Sequence, residues 1–101
     1  MYRKEEGVQQ DYETAVKWWR RAAEQGYADA QFNLGAMYDF GTGVLKDYVY
    51  AHMWYNIAAI SGKSMKASKS RDLLAKEMTP SQLEKAQDLA RDCVRKKYKE
   101  C

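Results

Sequence analysis

Proline is almost missing from this sequence of 101 residues and occurs once, at Pro80. A chain so poor in the residue that breaks helix interiors can be helical nearly throughout. Histidine also occurs once, at His52, and the two cysteines are Cys93 and Cys101. So few cysteines cannot frame a disulfide-stapled scaffold, and a reducing, cytoplasmic compartment is the simpler expectation. On one continuous helix Cys93 and Cys101 would stand about 12 Å apart, whereas a disulfide spans roughly 7 Å between Cα atoms at most. An intrachain bridge therefore requires the helix to end between them, and a bond between two chains is the easier alternative. Apolar runs of transmembrane length are lacking, as is an apolar signal segment after Met1, so no membrane partner is expected.

An excess of one charge is lacking too. The formal net charge is +3, too small to imply a nucleic-acid partner unless it is clustered. The tight basic cluster is Arg95-Lys96-Lys97 with Lys99. That is the decoration a helix C-terminus favours, because cations there complement the dipole. Apolar residues make up 46% and aromatics 13%, enough for one folded core, and the well-mixed 31% of charged residues argues against disorder.

What the sequence does have is a repeat. Gly7–Gly26 returns as Gly43–Gly62 at an offset of 36 residues, and eleven of the 26 positions in 1–26 are identical in 37–62. A period of that length implies stacked helical units. Met1-Tyr2 matches Met37-Tyr38, so the chain reads as beginning inside a unit, at the end of a helix that would precede it.

The spacing predicts a helix from Asp11, as N-cap, to about Gln25, with Gly26 as terminator. A second runs from Ala28 to about Asp39, with Gly35 admitting a close neighbour. Asp39–Gly43 is a tight loop whose glycines take positive φ. A third runs from Asp47 to about Ser61, ending at Gly62, and a fourth from Ser64 to about Met78. Thr79-Pro80-Ser81-Gln82 carries a capping box and an N1 proline, which open a last helix. Its apolar face is Leu83, Ala86, Leu89, Ala90, Cys93, Val94 and Tyr98. Trp18 and Trp54 occupy equivalent sites and are expected to be the largest packing anchors. Trp19, Tyr50 and Tyr55 are the aromatics expected to reach a surface.

Ala30, Leu34-Gly35-Ala36-Met37-Tyr38, Gly41-Thr42-Gly43-Val44, Asp47, Ala51, Trp54, Ala58-Ala59 and Gly62 together resemble one full Sel-one-like repeat, a relative of the tetratricopeptide repeat. The resemblance covers about residues 1–67, and Leu73 to Arg91 resembles the helix pair that often closes such arrays. It implies an all-α, short right-handed α/α solenoid. The division is a half repeat over 1–26, a full repeat over 27–62 and capping helices over 63–101. It also implies a scaffold whose concave face holds protein or peptide partners, without catalysis or cofactor. A cysteine-rich branch of that family is associated with β-lactam hydrolysis. Its repeats carry paired cysteines, which these repeats lack, so a hydrolase is the remotest alternative.

The chemistry-bearing residues fit a scaffold. His52 stands where the first copy has Val16 and has no cysteine or acidic pair at ligand spacing, so a structural or surface role and no bound metal are expected. Gly41-x-Gly43 lacks the spacing and Lys-Ser/Thr of a phosphate loop. Lys63–Arg71 reads as a solvated basic helix face. The candidate partner-binding face is the first helix of the complete unit, with Asp29, Asn33, Ala36 and Phe40 in line. A further alternative is a homodimer formed through the helix that lacks a covering neighbour, with Tyr12, Val16 and Trp19 as the self-association candidates.

Overall fold

The computed structural model describes the backbone from Lys4 to Cys101 and side chains from Asp11 onward. The reading of Met1-Tyr2 as the end of a preceding helix lies outside the described residues. Five helices follow in order: α1 (Lys4–Glu24), α2 (Ala28–Phe40), α3 (Tyr48–Ser61), α4 (Met65–Ala75) and α5 (Pro80–Arg95). They form an all-α solenoid of stacked helix pairs, elongated to 44 × 29 × 23 Å.

Local chemistry sets most of the boundaries. The Asp47 carboxylate accepts from the Tyr50 N–H at 3.1 Å and starts α3. Ser64 caps α4 in the same way through the Ala67 N–H. At α5 the Thr79 hydroxyl accepts from the Gln82 N–H, and the Gln82 carboxamide oxygen accepts from the Thr79 N–H, closing the capping box before Pro80. Gly41 and Gly43 both take positive φ in the α2–α3 loop, as the turn requires.

Two expected boundaries differ. Asp11 does not cap α1, which is already helical from Lys4. The positions that loop out before α3 contain Gly41 and Gly43, whereas their first-copy counterparts are Glu5 and Gly7, so one of the two turn glycines is replaced by a good helix former. Gly62 ends α3 with φ −96, not in the left-handed region; Lys63 takes the positive φ instead. Gly62 serves contact, because a Cβ there would collide with the Ala28 Cβ.

The core has two parts on either side of α3. One joins Val16 and Ala23 of α1, Ala30 and Leu34 of α2, Trp54 and Ile57 of α3, and Ala90 and Cys93 of α5. The other joins Ala51 and Tyr55 to Leu74, Met78 and Ala86. Helix α3 is thus buried along almost its whole length, packed by α2, α4 and α5. Gly35 fills the role expected of it: a Cβ there would stand 2.8 Å from Tyr55 Cδ1 and 3.1 Å from the Ala51 carbonyl oxygen.

Among the described residues, helix α1 has one extensive neighbour, α2. That corrects the equivalence of the two tryptophans. Trp54 is 1% exposed but Trp18 is 62% exposed, its ring covered on one side by the Arg21 guanidinium. Trp54 sits among three helices; no described helix lies where Trp18 would need one.

The cysteines are also corrected. Cys93 and Cys101 form an intrachain disulfide with a Cα separation of 5.6 Å. The condition stated for it is met, since α5 ends at Arg95 and the chain turns back through positive φ at Lys97, Tyr98 and Glu100. Tyr98 therefore lies beyond the helix rather than on its face, and packs against the turn at Gly26.

Candidate functional site

Helices α2 and α4 make little direct contact with each other, although both pack on α3. The gap between them is a groove of about 300 Å³. Along α2 its wall is Phe32, Ala36 and Phe40, at spacings of four residues that put them on one stripe. Leu73 and Leu74 form the α4 wall, and Tyr48 lies at one end. Phe40 is 74% exposed and Leu73 63% exposed, so large apolar side chains stand open to solvent on both sides.

The polar groups are few, and the two charged ones that line the groove are both anionic. Asp39 and Glu77 line the groove. The buried Tyr55 hydroxyl donates to Asp39 Oδ2 at 2.9 Å, which pins the carboxylate and the ring together. Burial, then this hydrogen bond and the Asp39 charge, push the Tyr55 phenol well above its ordinary pKa, so it stays a neutral donor. The Tyr55 ring lies 5.5 Å from that of Phe32, and the Lys66 ammonium sits 4.8 Å over Phe32. Ser70 supplies a hydroxyl. His52 is not among the groove residues; it is buried in α3. The arrangement can therefore hold an apolar side chain and a neighbouring cation.

Of the four residues expected on the binding face, the groove gathers two, Ala36 and Phe40. Asp29 lines a different hollow of about 450 Å³, with Trp19, Ala22 and Tyr27 at the α1–α2 turn. Asn33 is half-buried and lies off the groove stripe. The stripe runs through Phe32 instead, one residue before Asn33. Phe32, Tyr48, Leu73 and Asp39 were missed as site residues, and the signal available was the i, i+4, i+8 run of Phe32, Ala36 and Phe40.

The self-association candidates also divide. Tyr12 is exposed and Trp19 half-buried, but Val16 is buried, with its Cγ2 against the Gly43 turn, and offers no free surface. Tyr55, expected at a surface, is fully buried, because Gly35 lets α2 approach closely enough to cover it. Of the structural or surface place expected of His52, the structure gives the buried one: burial first, then the nearby Arg71 charge, lower its pKa, against a smaller upward pull from Asp72. On the Lys63–Arg71 face the lysines are exposed, while Arg71 turns inward to donate to Asn56 Oδ1 at 3.0 Å. Among the described residues no group of three or more His, Cys, Asp or Glu could hold a metal, and no helix is long and apolar enough to cross a membrane.

A family model described as Sel1 repeat matches residues 1–27 and 28–63. A mouse protein, sel-1 homolog 2, is 43% identical over 54 residues, covering 52% of this chain and 8% of the relative. A chitin synthase regulator of Saccharomyces cerevisiae is 40% identical over 55 residues, covering 54% of this chain and 8% of that protein. The chain thus spans under a tenth of these relatives. The crystal structure of a protective antigen present in uropathogenic Escherichia coli strains, displaying an SLR fold, matches with a TM-score of 0.83 and 35% identity. That match covers 88% of this chain and 19% of the other.

Proposed function

We propose, from the premise that this chain belongs to the Sel1 repeat family, that it is a non-catalytic module binding a segment of a partner protein in the α2/α4 groove. Proteins of this family generally act as protein-interaction scaffolds. The observation that carries the finer reading is the pairing of exposed Phe40 and Leu73 across a gap that neither helix closes. Folding gains nothing from large apolar side chains left in water, whereas a partner that covers them recovers roughly 25 cal/mol for each Å² of apolar surface removed. Asp39 and Glu77 favour a segment in which a Lys or Arg neighbours the apolar anchor.

Selection from a random displayed peptide library tests this. The expected winners carry an apolar or aromatic residue beside a basic one. Their binding by calorimetry should be lost in a Phe40→Asp/Leu73→Asp variant that keeps its helical circular dichroism. Winners of no common pattern, or binding untouched by the variant, would contradict the reading.

A second reading is a homodimer through α1, favoured by exposed Tyr12 and Trp18 beside Trp19. Light scattering decides it: a monomer at high micromolar concentration removes it. The compartment belongs to the proposal too. A chain with both cysteines bonded fits an oxidising compartment better than the cytoplasmic one expected from the sequence.

A further inference from the structure

A second groove, of about 440 Å³, lies between α3 and α5 on surfaces that no sequence motif marked. Its floor and walls are mainly apolar, with Ile57 and Ile60 from α3 and Ala90 and Val94 from α5, beside Asn56, whose Oδ1 is taken by Arg71. Ile57 is buried against α5, but Ile60 is 66% exposed and Val94 43% exposed. The repeat itself does not ask for isoleucine here. In the first copy the positions equivalent to Ile57 and Ile60 are Arg21 and Glu24. Packing on α5 accounts for Ile57; it leaves Ile60 unexplained.

The charged side chains lining this groove are both arginines, Arg91 and Arg95, one turn apart on α5. Each is paired with an aspartate three residues earlier, Asp88 and Asp92, in exposed ion pairs. Such pairs contribute little to stability, so an arriving carboxylate can take their place. Exposed Lys96, Lys97 and Lys99 carry the positive charge onward past the helix end. The α2/α4 groove instead presents Asp39 and Glu77. The charged side chains lining the two grooves are thus of opposite sign.

We infer that the α3/α5 groove docks an acidic amphipathic segment of a partner protein. An apolar side chain of that segment rests on Ile57 and Ala90 between Ile60 and Val94. A carboxylate one turn away on the segment meets Arg91 or Arg95, where a bidentate pair is available. Charge complementarity selects this occupant, and the inference stands whether or not the α2/α4 groove binds peptides.

Fluorescence anisotropy tests it with a labelled helical peptide of about 14 residues, leucines on one face and Asp/Glu on the other, and with its Lys/Arg counterpart. The acidic peptide should bind in a salt-sensitive way and the basic one should not. Ile60→Asp, and separately the pair Arg91→Glu and Arg95→Glu, should each weaken binding at least about tenfold, while Phe40→Asp leaves it unchanged. All four positions are exposed, and circular dichroism checks that the variants fold. The proposal is overturned by no binding up to about 1 mM, by equal binding of the basic peptide, or by affinity that survives the variants. Equal competition by single-stranded DNA of matching charge would reduce the site to charge alone and also overturn it. A dimer in light scattering that Ile60→Asp dissolves would give the groove to a second copy of the chain instead.

Discussion

Gly35→Ala should destabilise this protein, although the same change on an open helix would stabilise it. Removing an interior glycine gains about 0.5–1 kcal/mol in helix propensity. Here the new methyl would lie 2.8 and 3.0 Å from two ring carbons of Tyr55 and 3.1 Å from the Ala51 carbonyl oxygen. The ring is fully buried and its hydroxyl is tied to Asp39, so it cannot swing away. Overpacking of this kind costs about 1–3 kcal/mol. The balance is a net loss of about 0–2.5 kcal/mol, centred at about 1 kcal/mol, which lowers the melting temperature by about 4–8 °C per kcal/mol in a domain of this size. Urea unfolding followed by tryptophan fluorescence measures it. In a Tyr55→Leu background most of the loss should vanish, since the ring is what the methyl strikes. A stabilised Gly35→Ala protein, or an equal loss in both backgrounds, would refute the argument. Because Tyr55 lies behind Phe32 and Asp39 in the α2/α4 groove, the same variant should also weaken peptide binding there.

Trp54→Ala should cost about 3–5 kcal/mol, as for any large buried side chain, while Trp18→Ala should cost under about 1 kcal/mol, little more than its contact with Arg21. Unfolding curves of the two variants separate these. For His52, the folded pKa is lowered below the ordinary value of 6.5 by burial and Arg71, with Asp72 opposing. The unfolded chain therefore takes up the proton first, and this residue's contribution to stability is lost as pH falls below about 6.5. His52→Val, the first-copy residue, should flatten the dependence of the urea midpoint between about pH 7.5 and 5. Reducing Cys93–Cys101, or replacing Cys101 with Ser, should lower stability by about 2.5 kcal/mol, the loop-closure value for so short a loop. Proteolysis should then reach Lys96–Lys99 first, because left-handed Lys97, Tyr98 and Glu100 are no longer held.

The repeat period and the caps made the fold legible in the sequence. Asp47 and Thr79-Pro80 with Gln82 act through their immediate neighbours, so local patterns suffice to place them, and Gly35 was legible because a glycine inside a helical stretch signals the close approach that α3 makes. Trp18 was misjudged because equivalence between copies says nothing about which copy has a helix over it. Cys93 and Cys101 were misjudged because left-handed turns at Lys97, Tyr98 and Glu100 leave no glycine signal. The site was half legible. Ala36 and Phe40 follow from α2 alone, but Leu73 and Leu74 enter only through how α4 sits on α3, and Ile60 and Val94 meet only because α5 packs beside α3. Contacts between non-adjacent helices depend on crossing geometry, which helical periodicity does not encode.

The central claim is that the α2/α4 groove is the principal binding surface. Titrating the isotope-labelled chain with a library-selected peptide and following amide shifts by NMR tests it most directly. Shifts concentrated in Phe32–Phe40 and Ser70–Glu77, and abolished by Phe40→Asp/Leu73→Asp, are the predicted result. Shifts confined to α1 or α5, with those two segments silent, would contradict it.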